Sequence, residues 1–187
     1  MTKDCKEVFT DIYARKVWGD GSGGGSGEQA QPYCDFISEY VIHPTFVFTV
    51  LDIGCGDLRV AKRVNWGVAN YIGMDAYGAY IDPMTIPNRM MVWNGVDVLN
   101  APLPAADLVL CKEVLQHLSN EQIQTLLDRT AHYPRRLFAN STFGDNVNED
   151  ITTGDFRPVD LTLAPFNQPA KTVFTYGHWI VQELTNP

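Results

Sequence analysis

Apolar positions along this chain fall into short runs that alternate between strand-like and helix-like spacing. The run Phe46 to Ile53 has the length and β-branched content of a buried strand. It stops at Gly54 and Gly56, and a helix-like segment follows over Leu58 to Val64. Further short runs predict strands over Asn70–Met74, Met90–Trp93, Asp107–Cys111 and Leu137–Phe143. Lys171–Tyr176 and His178–Leu184 predict a closing pair of strands. Helical spacing shows in residues 6–18, with Val8, Phe9, Ile12 and Tyr13 on one side. It returns over Glu28–Val41, where Tyr33, Phe36, Ile37, Tyr40 and Val41 share a face and Pro32 lies in the first turns. Ser119 is a natural N-cap for a third helix, lined by Ile123, Leu126, Leu127 and Thr130 and broken at Tyr133-Pro134. Strands alternating with helices predict an α/β fold, a parallel sheet with helices on its faces.

Length and composition narrow this picture. At 187 residues the chain is expected to form one domain, residues 1–187, with a sizeable core. The net charge of −8 argues against bulk affinity for a phosphate backbone, so no nucleic-acid partner is expected. Cys5, Cys34, Cys55 and Cys111 have no Cys-x-x-Cys spacing, which disfavours zinc and a disulfide framework, and no metal is expected. The N-terminus lacks the apolar core of a signal peptide and no run reaches membrane-spanning length. A cytoplasmic protein without membrane partners is the expectation, and the oligomeric state is unreadable.

Candidate chemistry gathers at the ends of the predicted strands. A strand feeding a Gly-x-Gly turn into a helix presents bare backbone and a helix N-terminus to a ligand. The third glycine of the dinucleotide fingerprint is absent, because Arg59 stands in its place. The second strand ends at Asp75, nineteen positions after Gly56 (75 − 56), where an acid can hold ribose hydroxyls. The third leads to Asp97, and the fourth into Lys112-Glu113-Val114-Leu115-Gln116-His117-Leu118.

The series Asp52-Ile53-Gly54-Cys55-Gly56-Asp57, Gly73-Met74-Asp75, Val96-Asp97-Val98 and Asp107 to Leu118 resembles the class I S-adenosylmethionine-dependent methyltransferases. Within them it is similar to a group with a Tyr-x-x-x-x-Trp-Gly, Gly/Ser-rich N-terminal stretch (Tyr13 to Gly19, Gly21 to Ser26) and a downstream Arg157-Pro158 to Pro165-Phe166-Asn167 segment. The resemblance covers roughly the whole chain. It implies a Rossmann-like, seven-stranded, mostly parallel sheet with helices on both faces and an antiparallel C-terminal hairpin. It also implies S-adenosylmethionine as cofactor and methyl transfer as the activity. Gly54 and Gly56 would let the cofactor approach the backbone. Asp57, at the helix start where the helix dipole favours it, would lie near the methionine end and hold its ammonium, with Asp52, Cys55 and Lys112 as further cofactor contacts. Asp75 and Ala76 would lie at the ribose, and Asp97 and Val98 at the adenine. On composition alone residues 20–27 read as a flexible linker. The resemblance instead implies a loop within residues 1–45 that closes over the methionine end, with Trp18 as a wall of the site or an anchor for the N-terminal arm.

The acceptor is less legible. No Asn/Asp-Pro-Pro-aromatic sequence follows the fourth strand, which points away from base methylation and towards an oxygen or nitrogen of a small molecule, a sugar or glycan precursor among the candidates. Glu113 and His117, four apart, would share a face of a helical turn, with His117 either a general base or packed behind the site. Residues 144–169 form the expected acceptor-side loop, and Asn148, Arg157 and Phe166 are its candidate acceptor contacts. Arg157 would either recognise an anionic group or pin the loop in an ion pair. Two other readings stand beside the enzyme: a catalytically silent S-adenosylmethionine-binding protein, and a nicotinamide-dependent oxidoreductase built on the same layout.

Overall fold

Seven strands form one sheet in the order β3-β2-β1-β4-β5-β7-β6. The computed structural model describes residues 5–19, 21–23, 27–43, 47–77 and 89–186. The strands are β1 (Thr49–Ile53), β2 (Asn70–Asp75), β3 (Met90–Asn94), β4 (Leu108–Lys112), β5 (Arg135–Ser141), β6 (Lys171–Tyr176) and β7 (Trp179–Thr185). The first five pair in parallel, while β7 runs antiparallel to both β5 and β6. This is the expected Rossmann-like, mostly parallel sheet with a reversed C-terminal hairpin.

Alternation along the strands divides the core in two. Leu51 and Ile53 of β1, Val109 and Cys111 of β4 and Phe138 of β5 face one side. There they meet Cys5 and Phe9 of α1 (Cys5–Ala14) and Ile123, Leu126 and Leu127 of α3 (Asn120–Thr130). Val50, Leu108, Leu110, Leu137 and Ala139 face the other side, against Tyr33, Cys34, Ile37 and Val41 of α2 (Gln31–Ile42). Strands buried on both faces read as continuous apolar runs, which is why the sequence marks them clearly. Among the described residues no helix is long and apolar enough to cross a membrane.

Several elements differ from expectation, each for a local reason. The helix expected over Leu58–Val64 is reduced to a 3₁₀ turn, Ala61–Arg63. Leu58 has φ 64°, which stops an α-helix from propagating out of the glycine turn. No helix N-terminus therefore faces the turn, and the dipole expected to act on Asp57 is absent. The helical turn after β4 is likewise a 3₁₀ turn, Leu115–His117, preceded by Glu113 at φ 56°. The third helix starts as expected: the Ser119 side chain accepts from Gln122 N–H and the Gln122 side chain accepts from Ser119 N–H, a capping box.

Candidate functional site

One cleft of about 330 Å³ crosses the C-terminal edge of β1, β2 and β4, within the size range of small-molecule sites. Its floor is the turn after β1. Gly54 and Cys55 donate to the carbonyl of Met74 at the end of β2, at 2.7 and 3.2 Å. Gly54 has φ 76°, and a Cβ there would lie 2.2 Å from Cγ2 of Val114. A Cβ on Gly56 would lie 2.6 Å from Cβ of Ser22. Both glycines are thus required by packing of the protein on itself, before any ligand is considered.

Asp75 ties the floor together. Its carboxylate is 5% exposed, accepting from Gly56 N–H and Tyr77 N–H, each at 2.8 Å. Burial raises its pKa, opposed by these two bonds. Asp52 sits beside it on the cleft floor and accepts from the Tyr71 hydroxyl at 2.6 Å. Burial pushes Asp52 up to about 6, opposed by the Tyr71 bond. Tyr71 was not legible as a site residue. The register pairs Val50 with Tyr71, so Asp52 and Tyr71 are diagonal neighbours on one face, which only strand pairing reveals. Further along, Asp97 accepts from Leu99 N–H at 2.9 Å and from the Asn100 amide at 2.6 Å, closing a turn. Ala76, Val96, Asp97 and Val98 line the same cleft.

Asp57 is placed differently. It is outside the cleft lining; its carboxylate accepts from the Ser22 hydroxyl at 3.0 Å and pairs with Arg59 at 3.0 Å. That docks the described part of the Gly/Ser-rich stretch, Gly21–Gly23, onto the β1 turn. Ser22 and Gly23 consequently line the cleft with Trp18. The remainder of the stretch, residues 20 and 24–26, lies outside the described residues, as does the start of the first expected strand at Phe46.

The N-terminal arm roofs the cleft. Cys5, Phe9 and Tyr13 of α1 line it, and Trp18 packs against Tyr13 edge-on with ring centroids 5.3 Å apart. Trp18 also lies over the His117 ring at 4.4 Å. From α2, Tyr33 and Ile37 reach the cleft although their spacing reads as core; they serve both, because α2 packs beside the sheet's C-terminal edge.

Glu113 and His117 both line the cleft but do not form a pair. Glu113 accepts from Trp179 Nε1–H at 2.7 Å and from the Lys112 ammonium, which lies over the Tyr33 ring. His117 Nδ1 lies 2.8 Å from the Asp155 carbonyl. A carbonyl only accepts, so Nδ1 carries the proton and Nε2 the lone pair. A backbone carbonyl, not the Glu113 carboxylate, therefore orients the ring. Burial lowers the His117 pKa and Arg157 adds to that, while the Asp155 carbonyl and Glu113 act in the opposite sense. The net direction is downward from the ordinary histidine value, which favours the neutral imidazole.

The three candidate acceptor contacts lie elsewhere. Arg157 is fully buried, with its fork on the carbonyls of Leu115 and Leu118 and on Asn120 Oδ1. Its two terminal nitrogens bond to the protein itself, so recognition of an anionic acceptor by this fork is replaced by a structural anchorage. The alternative ion pair is replaced too, Asp150 acting only as a neighbouring charge. Asn148 is buried, donating to the carbonyls of Asp160 and Ala164 and accepting from Asp160 N–H. Phe166 is in the core beneath the loop. Among the described residues no group of three or more His, Cys, Asp or Glu could hold a metal ion.

No family model and no curated protein matches the chain in sequence. Solved structures do match in fold. Human N-acetylserotonin methyltransferase, in complex with S-adenosylmethionine, is 16% identical with a TM-score of 0.63; the match covers 96% of this chain and 59% of that one. Magnesium protoporphyrin IX methyltransferase from Synechocystis PCC 6803, with bound S-adenosylmethionine, is 15% identical with a TM-score of 0.63, covering 100% and 99%. The 1,6-didemethyltoxoflavin-N1-methyltransferase of Burkholderia thailandensis, with its namesake ligand and S-adenosylhomocysteine, is 17% identical with a TM-score of 0.65, covering 95% and 85%. At these identities the likeness is one of fold: the chain shares the Rossmann-like architecture of these enzymes and spans little more than half the length of the first.

Proposed function

We propose that this chain is an S-adenosylmethionine-dependent methyltransferase that acts on an oxygen or nitrogen of a small molecule. The observation that carries the reading is the cleft itself. It collects Gly54, Gly56, Asp75, Ala76, Asp97 and Val98, in chain order, along the C-terminal edge of the sheet, where open α/β folds bind ligands. The fit of the residues to the cofactor supports it. Asp75 is a buried carboxylate facing the cleft, and each oxygen keeps a lone pair beyond its one backbone bond, suiting a ribose diol. Asp97 and Val98 would meet the adenine, one as acceptor and one as apolar contact. Asp52, bordered by Lys112, would take the ammonium of the methionine end, and an adjacent cation would favour its ionised form. Trp18 would close that end. Bound there, the cofactor supplies an electrophilic methyl group on a sulfonium sulfur.

The chain's own contribution is alignment and proton removal. His117, with Nδ1–H held by the Asp155 carbonyl, would act through Nε2 as the base for an acceptor O–H or N–H, which then takes the place of the Gln116 amide nitrogen now 3.5 Å from it. Glu113 holds Lys112 and Trp179 in place and is not the base. We take residues 1–187 as one methyltransferase unit: residues 1–45 supply the roof, and residues 144–169 support the turn that carries His117. A sugar or glycan precursor remains one acceptor class for an activity screen.

Calorimetry tests the reading. S-adenosylmethionine and S-adenosylhomocysteine should bind with a stoichiometry of about one, and nicotinamide cofactors should not bind. Binding of a nicotinamide cofactor alone would replace this reading with the oxidoreductase. Tight cofactor binding with no turnover across an acceptor library would favour the silent binding protein.

A further inference from the structure

We infer that Arg157 is a positioning residue for His117, holding the 3₁₀ turn that carries the imidazole in one geometry from beneath. The inference rests on the methyltransferase reading only for its consequence in turnover; the clamp itself is a property of the folded chain.

The loop after β5 grips this turn through its backbone carbonyls. Arg157 Nη1 donates to the Leu115 carbonyl at 2.7 Å and Nη2 to the Leu118 carbonyl at 2.8 Å. Nη2 also donates to Asn120 Oδ1 at 3.0 Å. Its backbone N–H donates to the Gln116 carbonyl at 3.1 Å, and Gly154 N–H to the His117 carbonyl at 2.8 Å. Four successive carbonyls, residues 115 to 118, thus receive donors from two residues of one loop, Gly154 and Arg157. In return the imidazole Nδ1–H donates to the Asp155 carbonyl. A three-residue 3₁₀ turn has too few internal bonds to hold a side chain by itself. Only a planar fork can reach carbonyls on both sides of His117 at once; a lysine ammonium is a single point.

The placement is costly, which argues for a purpose beyond filling space. Arg157 is fully buried, and among the described residues no carboxylate pairs with it and its Nε has no partner. Its positive charge also reaches the imidazole. The charged groups that act on His117 are Arg157, which opposes protonation, and Glu113 from the β4 side, which favours it. The other faces of the ring are covered by the uncharged rings of Trp18 and Phe156. Clamp and charge together keep the ring in the tautomer and the neutral state that a general base requires.

The test reads His117 directly by ¹⁵N imidazole NMR on the full chain, with calorimetric binding of S-adenosylmethionine measured on the same samples. In the wild type, the Nδ1–H tautomer should dominate and the titration midpoint should lie below that of a free histidine. In Arg157→Met the charge is gone, so the midpoint should move to higher pH. In Arg157→Lys the charge stays but one carbonyl contact is lost; the midpoint should move little, while the tautomers become mixed. A wild-type tautomer and midpoint in a folded Arg157→Lys and a folded Arg157→Met would overturn the inference, leaving Arg157 a core residue only. Should Arg157→Met not fold, the tautomer mixture in Arg157→Lys still decides. Loss of cofactor binding in the wild type would count against the methyltransferase reading and leave the imidazole result standing.

Discussion

Asp75 is a buried carboxylate that ties the β1 turn and, in the proposed reading, would also hold the cofactor's ribose. Both oxygens already accept backbone N–H bonds, from Gly56 and Tyr77, so its removal unties the β1 turn as well as any ribose contact. Asp75→Ala is therefore expected to weaken S-adenosylmethionine binding by about 1–3 kcal/mol, the range for leaving buried partners unpaired. A lowered melting temperature should accompany it. Asp75→Asn, which keeps one acceptor oxygen, should recover much of the stability and less of the affinity; equal calorimetric affinity in all three proteins would remove the ribose role. At His117 the expectation is the reverse: little effect on cofactor binding and roughly 10²–10⁴-fold lower turnover on an identified acceptor. That loss should shrink at high pH, where the acceptor ionises unaided. A His117→Ala variant with full turnover at pH 7 would leave alignment as the whole mechanism.

Among the elements, α3 begins at a capping box. Ser119 and Gln122 satisfy each other's backbone N–H groups just where the chain leaves the Arg157-clamped turn. Ser119→Ala should cost about 1 kcal/mol of stability, read by chemical denaturation. An unchanged unfolding midpoint would show that Asp150, which accepts from Asn120 N–H, suffices as a cap. The glycine turn is less tolerant. Gly54→Ala combines a φ of 76° with a Cβ 2.2 Å from Val114, so both the turn and the neighbouring segment after β4 must shift. Reduced stability together with loss of cofactor binding is expected; retention of both would mean that Val114 yields freely.

For the molecule as a whole, the cleft floor stores a pH dependence. Burial raises Asp52 to about 6 and raises Asp75 as well. An acid whose folded pKa exceeds its unfolded value favours the fold while protonated, and that contribution fades as pH rises through the folded value. The ligand-free chain should thus lose stability between about pH 4 and pH 6 from these groups. The Asp52 share is about 1 kcal/mol once its opening onto the solvated cleft is allowed for. Asp52→Asn should flatten the profile over that window, measured by thermal unfolding at fixed ionic strength. An unchanged slope would show that the floor carboxylate is already solvated.

The sequence by itself determined the sheet, the alternation of helices with strands, and the order of the cleft residues. Strands buried on two faces need unbroken apolar runs, and capped helices need local signals, so both are written within short windows of the chain. Gly54, Asp75 and Asp97 were legible for the same reason, each standing at a strand's end. Only the tertiary structure decided the rest, because it depends on partners far apart in sequence. Leu58 and Glu113 adopt left-handed backbone angles that turn the two expected helical segments into 3₁₀ turns, a choice no local propensity records. Tyr71 meets Asp52 through strand register, and Ser22 meets Asp57 across thirty-five positions. Arg157 read as either an anion-recognising fork or an ion pair pinning the loop; its fork instead closes on carbonyls about forty residues away in the chain, because a buried turn with unpaired carbonyls draws in the nearest multiple donor.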